Sequence, residues 1–141
     1  MIYLDTNIYC RPLDDRSQPR INLEAEASVN ILKAIETGKI KSATSDILKF
    51  EIYHADPIKK LHTIPFLSFS SKHIEENEEL KNSAQALQRK YRLKSRDALH
   101  LASALEIKAE FFITCDDEII KKHHMIQEIK ILNPIEYSKE L

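Results

Sequence analysis

The chain predicts an α/β fold, with a central, mostly parallel sheet of four to five strands flanked by helices. Short apolar runs alternate with stretches of helical apolar spacing along nearly all of its 141 residues, which is the order of a parallel sheet covered on both faces. A composition of 43% hydrophobic and 30% charged residues supplies a core of ordinary size for one domain, taken as residues 1–141. Glycine occurs once, at Gly38, where average usage of about 7% would give roughly ten. The glycine-dependent phosphate loops, dinucleotide fingerprints and nucleophile elbows are therefore excluded.

Ile2 to Leu4 reads as a buried strand with a polar tip, Asp5-Thr6-Asn7. Cys10 to Arg20, with Pro12, Asp14, Asp15, Ser17 and Pro19, has the composition of a loop. From Ile21 the apolar residues Leu23, Ala27, Ile31 and Ile35 recur every fourth position, and Gly38 falls where a left-handed helix stop is wanted. Ile40 to Thr44 is a second strand, Ser45 a helix cap, and 47–55 a helix that Pro57 ends or kinks. A short helix follows, then Ile64 to Phe69 as a strand. Leu80, Ala84, Leu87 and Tyr91 predict an amphipathic helix over about 73–91, and Phe50 and Leu48 predict that the helix 47–55 turns inward beside Glu51. Ser95 caps the next helix, through Leu105. Glu110 to Thr114 is a strand, Asp116 to Lys122 a short helix, and Ile129 to Leu132 the last strand.

In an open parallel sheet ligands bind beyond the carboxyl ends of the strands. Asp5 and Asp116 stand at such ends, while Glu51 and Asp97 lie on helices next to strands. Four carboxylates in one cleft repel unless some are protonated or a cation sits among them. All-oxygen donors without clustered His or Cys suit Mg²⁺ or Mn²⁺ better than zinc, and such ions serve phosphodiester displacement, singly or in pairs. Glu51-x-x-His54 and Asp97-x-x-His100 place an acid and a histidine one helical turn apart; without two more inward glutamates and four long helices these histidines read as packing or supporting residues.

The strings Tyr3-Leu4-Asp5-Thr6-Asn7, Thr44-Ser45-Asp46-Ile47-Leu48-Lys49-Phe50-Glu51, Arg96-Asp97-Ala98-Leu99-His100-Leu101-Ala102 and Ile113-Thr114-Cys115-Asp116 resemble, in order and spacing, the motifs of the PIN domain. The resemblance implies a three-layer fold and a metal-dependent ribonuclease, most often the VapC-like toxin of a toxin-antitoxin pair, with an antitoxin partner and a homodimer. It implies that Asp5, Glu51, Asp97 and Asp116 hold Mg²⁺ or Mn²⁺, with Thr6, Asn7 and Thr114 supporting them. Asp117 leaves the fourth acid ambiguous by one position, and the T-x-D spacing from Thr114 selects Asp116. The segment carrying Arg11, Arg16 and Arg20 is longer than the family pattern.

A net charge of −1 provides no whole-molecule basic field, so any RNA contact is local. Arg11, Arg92, Lys94 and Arg96 are the candidates, with Arg89 and Lys90 completing a cationic run around Tyr91 that also suits a solvated helix C-terminus. Two distant cysteines, Cys10 and Cys115, read as free thiols and point to the cytoplasm, and no apolar stretch is long enough for a membrane span. An aspartyl-phosphate-type phosphohydrolase is the rival enzyme, weakened because Asn7 stands where its second acid belongs. A non-catalytic, protein-binding scaffold of the same fold is the other alternative, disfavoured by the presence of all four acids.

Overall fold

The computed structural model describes residues 1–141 and has five strands in one sheet, all parallel, in the order β3-β2-β1-β4-β5. β1 (Ile2–Leu4) lies at the centre, with β2 (Ser42–Ser45) and β3 (Lys72–Ile74) on one side and β4 (Phe111–Ile113) and β5 (Lys130–Leu132) on the other. The chain thus winds outward from β1 in one direction and resumes at β4 in the other. The crevice between the ends of β1 and β4 is the topological switch point.

Side chains alternate across each strand and separate two cores. Tyr3, Phe112 and Ile131 face α5 (Glu78–Tyr91) and α6 (Ser95–Glu106). Ile2, Leu4 and Ile113 face the opposite layer, formed by α1 (Thr6–Cys10), α2 (Pro19–Glu36) and α3 (Asp46–Tyr53), with Tyr137 of the last helix, Pro134–Ser138. Tyr3 and Phe112 are register partners whose rings stack 5.6 Å apart.

Several boundaries differ from the sequence expectations for identifiable reasons. The segment after Asp5 is helical: Asp5 caps α1 through the Thr6 amide, and Arg11–Leu13 form a 3-10 turn. Pro19 opens α2, whose buried stripe is Glu24, Ala27, Ser28, Ile31 and Ile35, whereas Leu23 is exposed. Pro57 does not merely stop a helix. It occupies the first turn of α4 (Pro57–Leu67), capped by Asp56 accepting from the Lys59 amide, where a missing N–H costs nothing.

Ile64 to Phe69 is not a strand. Ile64–Leu67 belong to α4 despite Pro65, and the sheet position goes to Lys72–Ile74, paired with Ala43–Ser45. The amphipathic helix begins at Glu78 rather than about 73, with Asn77 as its cap. Lys94, not Ser95, occupies the cap position of α6. Gly38 has φ of 81° just beyond α2, the left-handed geometry expected of it.

Candidate active site

Asp5 is the first residue beyond β1 and Thr114 the first beyond β4. Because Leu4 pairs with Ile113, their side chains emerge side by side at the switch point. Thr114 Oγ1 donates to Asp5 Oδ2 at 2.8 Å, and Asn7 Nδ2 donates to the same oxygen at 3.2 Å. The Thr6 amide donates to Asp5 Oδ1 at 2.8 Å. Three of about four lone-pair positions are thus taken, and one on Oδ1 is left. Asn7 also bridges to Thr114 Oγ1 and accepts from the Cys115 amide, locking the two strand ends together.

Glu51 comes from the last turn of α3, a helix that starts straight from β2 with Ser45 as cap. Its Oε1 accepts from Thr6 Oγ1 at 2.6 Å and from His100 Nε2. Oε2 has only Arg96 Nη1, 3.7 Å away. Burial alone would raise this carboxyl, but the His100 hydrogen bond and charge, Thr6 and Arg96 together hold it below the ordinary glutamate value. Asp5 is pushed up by burial, against the opposing charge of His100 and its own hydrogen bonds.

Asp97 lies in the first turn of α6 and Asp116 caps the short helix α7 (Asp117–Ile120), accepting from the Glu118 amide through Oδ1. The Asp116 amide donates to Thr114 Oγ1, so the threonine orients both strand-end acids. Burial, and then the charges of Asp5 and Asp116, push Asp97 up to about 6. Asp117 is exposed, and its carboxylate is claimed by the Arg20 guanidinium at 3.0 Å, whereas Asp116 is the acid tied to Thr114 at the end of β4.

Behind the carboxylates lies a buried relay in which His100 is a supporting residue, as its spacing from Asp97 allowed, while its partners Tyr3 and Ser45 were not singled out for such a role. His100 is 1% exposed, and its Nδ1 is 2.7 Å from the Tyr3 hydroxyl, which lies 2.6 Å from Ser45 Oγ. An ionised Glu51 offers only lone pairs, so His100 Nε2 carries the proton and donates. Burial would lower the imidazole, yet the Glu51 hydrogen bond and the charges of Asp5, Glu51 and Asp97 outweigh it and raise it. The available signal was the i,i+3 spacing of Asp97 and His100, which sets both on one helix face, together with Tyr3 alternating against Ile2 and Leu4.

Asp5, Glu51 and His100 present donor atoms within 4.8 Å of one another. His100 does not fit as a ligand in this arrangement, because the nitrogen facing the group is spent on Glu51. The remaining donors are carboxylate oxygens, several without a protein partner, and this set fits a hard divalent cation.

Of the candidate cations, Arg11 is bound up with Asp14 at 2.9 Å and Glu24 at 3.4 Å, and its side chain is only 20% exposed. Arg92 and Lys94 are exposed and line, with Asp97 and Lys122, a cleft of about 90 Å³. Arg96 stands over Glu51. Cys10 and Cys115 are free thiols, Cys115 buried.

A family model for the PIN domain matches residues 2–124. Among solved structures, one described as a toxin-antitoxin complex from Klebsiella pneumoniae is similar with a TM-score of 0.61 at 26% identity, covering 95% of this chain and 98% of that one. VapBC2 from Rickettsia felis, bound to a DNA fragment from its promoter, is similar with a TM-score of 0.59 at 18% identity, covering 94% and 98% respectively, a likeness of fold. No curated protein matches the chain.

Proposed function

The chain belongs to the PIN domain family, and from that premise we propose that it is a Mg²⁺- or Mn²⁺-dependent ribonuclease, the toxin of a VapBC-like toxin-antitoxin pair. The observation that carries the reading is the meeting of Asp5 and Glu51 at the switch point, with Asp116 tied to the same Thr114 that holds Asp5. Each of these three acids has an oxygen held by the protein, and others are left unclaimed. In this reading Asp5, Asp97 and Asp116 hold the ion, and Glu51 holds a second ion or positions the attacking water. When bound, the ion supplies positive charge that favours ionisation of a water and offsets charge growing on the phosphodiester.

The chain's own residues do the rest. Thr114 and Asn7 aim Asp5, and Thr6 and His100 hold Glu51 ionised with Oε2 turned to the cleft. Arg92, Lys94 and Arg96 supply local positive charge for the RNA backbone, a role that Arg11 leaves to them by pairing with Asp14 and Glu24. Residues 1–141 act as one domain in this reading, in the cytoplasm and as a homodimer, with an antitoxin as partner. No helix is long and apolar enough to cross a membrane. The toxin part of the proposal draws support from the Klebsiella pneumoniae complex.

The test is cleavage of a labelled RNA by the purified chain. EDTA should abolish it and added Mn²⁺ restore it. Asp5→Asn should lower kcat by at least about 100-fold, the order expected when a group holding the catalytic charge is lost, while far-UV circular dichroism stays native. Undiminished cleavage by that variant would falsify the assignment.

A further inference from the structure

The pitch of α3 buries Leu48 and Ile52 and leaves Phe50, Tyr53 and His54 outside, against the expectation that Phe50 turns inward. Phe50 is 46% exposed and Tyr53 50% exposed. Scattered apolar side chains on a surface are ordinary, but Phe50 sits beside Glu51 at the lip of the carboxylate cleft, the two being joined by one arginine. Arg96, which immediately precedes Asp97, spans the two. Its guanidinium carbon is 5.7 Å from the Phe50 ring centre, and its Nη1 is 3.7 Å from Glu51 Oε2. His54 stacks on Phe50 with ring centres 4.2 Å apart, held by its Nδ1–H donating to the Phe50 carbonyl at 2.8 Å. Lys60 lies 5.0 Å from the centre of the Tyr53 ring.

We propose that Phe50, with Arg96 beside it, forms a stacking platform for an unpaired base of single-stranded RNA next to the bond being cut. The proposal rests on the ribonuclease reading above and extends it to the substrate's form and to the residue that seats it. A base offers a flat π-face and its phosphate a negative charge within one repeating unit. Exposed rings each attended by a cation complement both at once, whereas a purely apolar protein partner would leave the cations unused. Bases in a duplex are stacked on each other and keep their faces covered, so only a splayed strand can use the ring. Arg96 is 62% exposed and tied to the protein only through Glu51, so it can yield the ring face to a base while keeping its charge near the phosphate.

The chain contains no tryptophan, so Phe50→Trp introduces the one indole, excited selectively at about 295 nm, at the proposed contact. In an Asp5→Asn background, where cleavage is blocked, a single-stranded RNA oligomer should quench that emission and the same strand in a duplex should not. In the otherwise native chain Phe50→Ala should raise KM for single-stranded RNA about tenfold with a smaller change in kcat, as loss of one stacked base predicts, and Phe50→Tyr should restore it. Emission that stays constant while anisotropy shows the labelled strand bound would overturn the proposal. So would a Phe50→Ala variant that changes sedimentation but not KM, since the ring would then be a protein contact. If the native chain fails to cut RNA although Trp emission is quenched by it, the ribonuclease reading fails and the platform stands.

Discussion

Tyr3, Ser45 and His100 bury three polar groups, each at most 1% exposed, and satisfy them with one another, so their worth lies as much in the penalty for breaking the set as in the bonds themselves. Tyr3→Phe keeps the ring stacked on Phe112 but takes a partner from Ser45 and from His100 Nδ1. It should cost about 1–3 kcal/mol in urea unfolding, with a smaller effect on kcat because Nε2 still reaches Glu51. His100→Ala should act the other way round on catalysis. Glu51 loses the hydrogen bond that holds it ionised, so the low-pH limb of the kcat profile should move to higher pH. A purely structural histidine would lower the melting temperature without moving that limb.

Helix and strand boundaries followed local chemistry, and one of them isolates a backbone effect. A Cβ built on Gly38 meets nothing within 4 Å, so Gly38→Ala tests conformation alone at φ of 81°. It should destabilise by about 1 kcal/mol, measured by chemical denaturation, with activity retained at low temperature. The same locality explains what could be read in advance. β1, β4 and the stripe Leu80, Ala84, Leu87 and Tyr91 announce themselves by period, and Asp5 and Asp116 by following apolar strands. β3 did not, because Lys72–Ile74 is a three-residue edge strand with a charged start, defined by pairing to β2 rather than by its own pattern. Ile64–Leu67 misled for the converse reason: apolar residues around Pro65 look extended, while the Asp56 cap and Pro57 had already committed the segment to a helix. The four acids were legible as types and positions. Which oxygens stay free, and that His100 backs Glu51, depends on contacts between residues 45 to 109 apart, which no local period encodes.

At the scale of the whole molecule, the gathered charge is a standing cost that a bound cation would relieve. Asp97 is pushed up to about 6 from 3.8, so between those values the native state binds more protons than the unfolded chain, and stability falls as pH rises through the window. The upward push on Asp5 has the same sign. In EDTA, Asp97→Asn should therefore raise the melting temperature by a few degrees at pH 7 and give no gain near pH 3, where both forms are neutral. In saturating Mn²⁺ the order should invert, because the native chain gains binding energy that the variant has lost. Thermal melts at the two pH values, with and without the ion, decide the matter; a variant that melts below the native chain in EDTA at pH 7 would remove this account.

The outward winding of the sheet also has a consequence in time. β1 is made first yet its strand-end acid meets Thr114 only 109 positions further along the chain, and Asp116 comes two residues later still. Closing so long a loop delays the central pairing of the sheet. Until residues 114 to 116 have been added, a growing chain holds Asp5 and Glu51 but neither of the residues that complete the pocket. Assembly of the cleft is thereby deferred until the chain has grown past Asp116, so every shorter growing chain carries Asp5 without the partner that aims it.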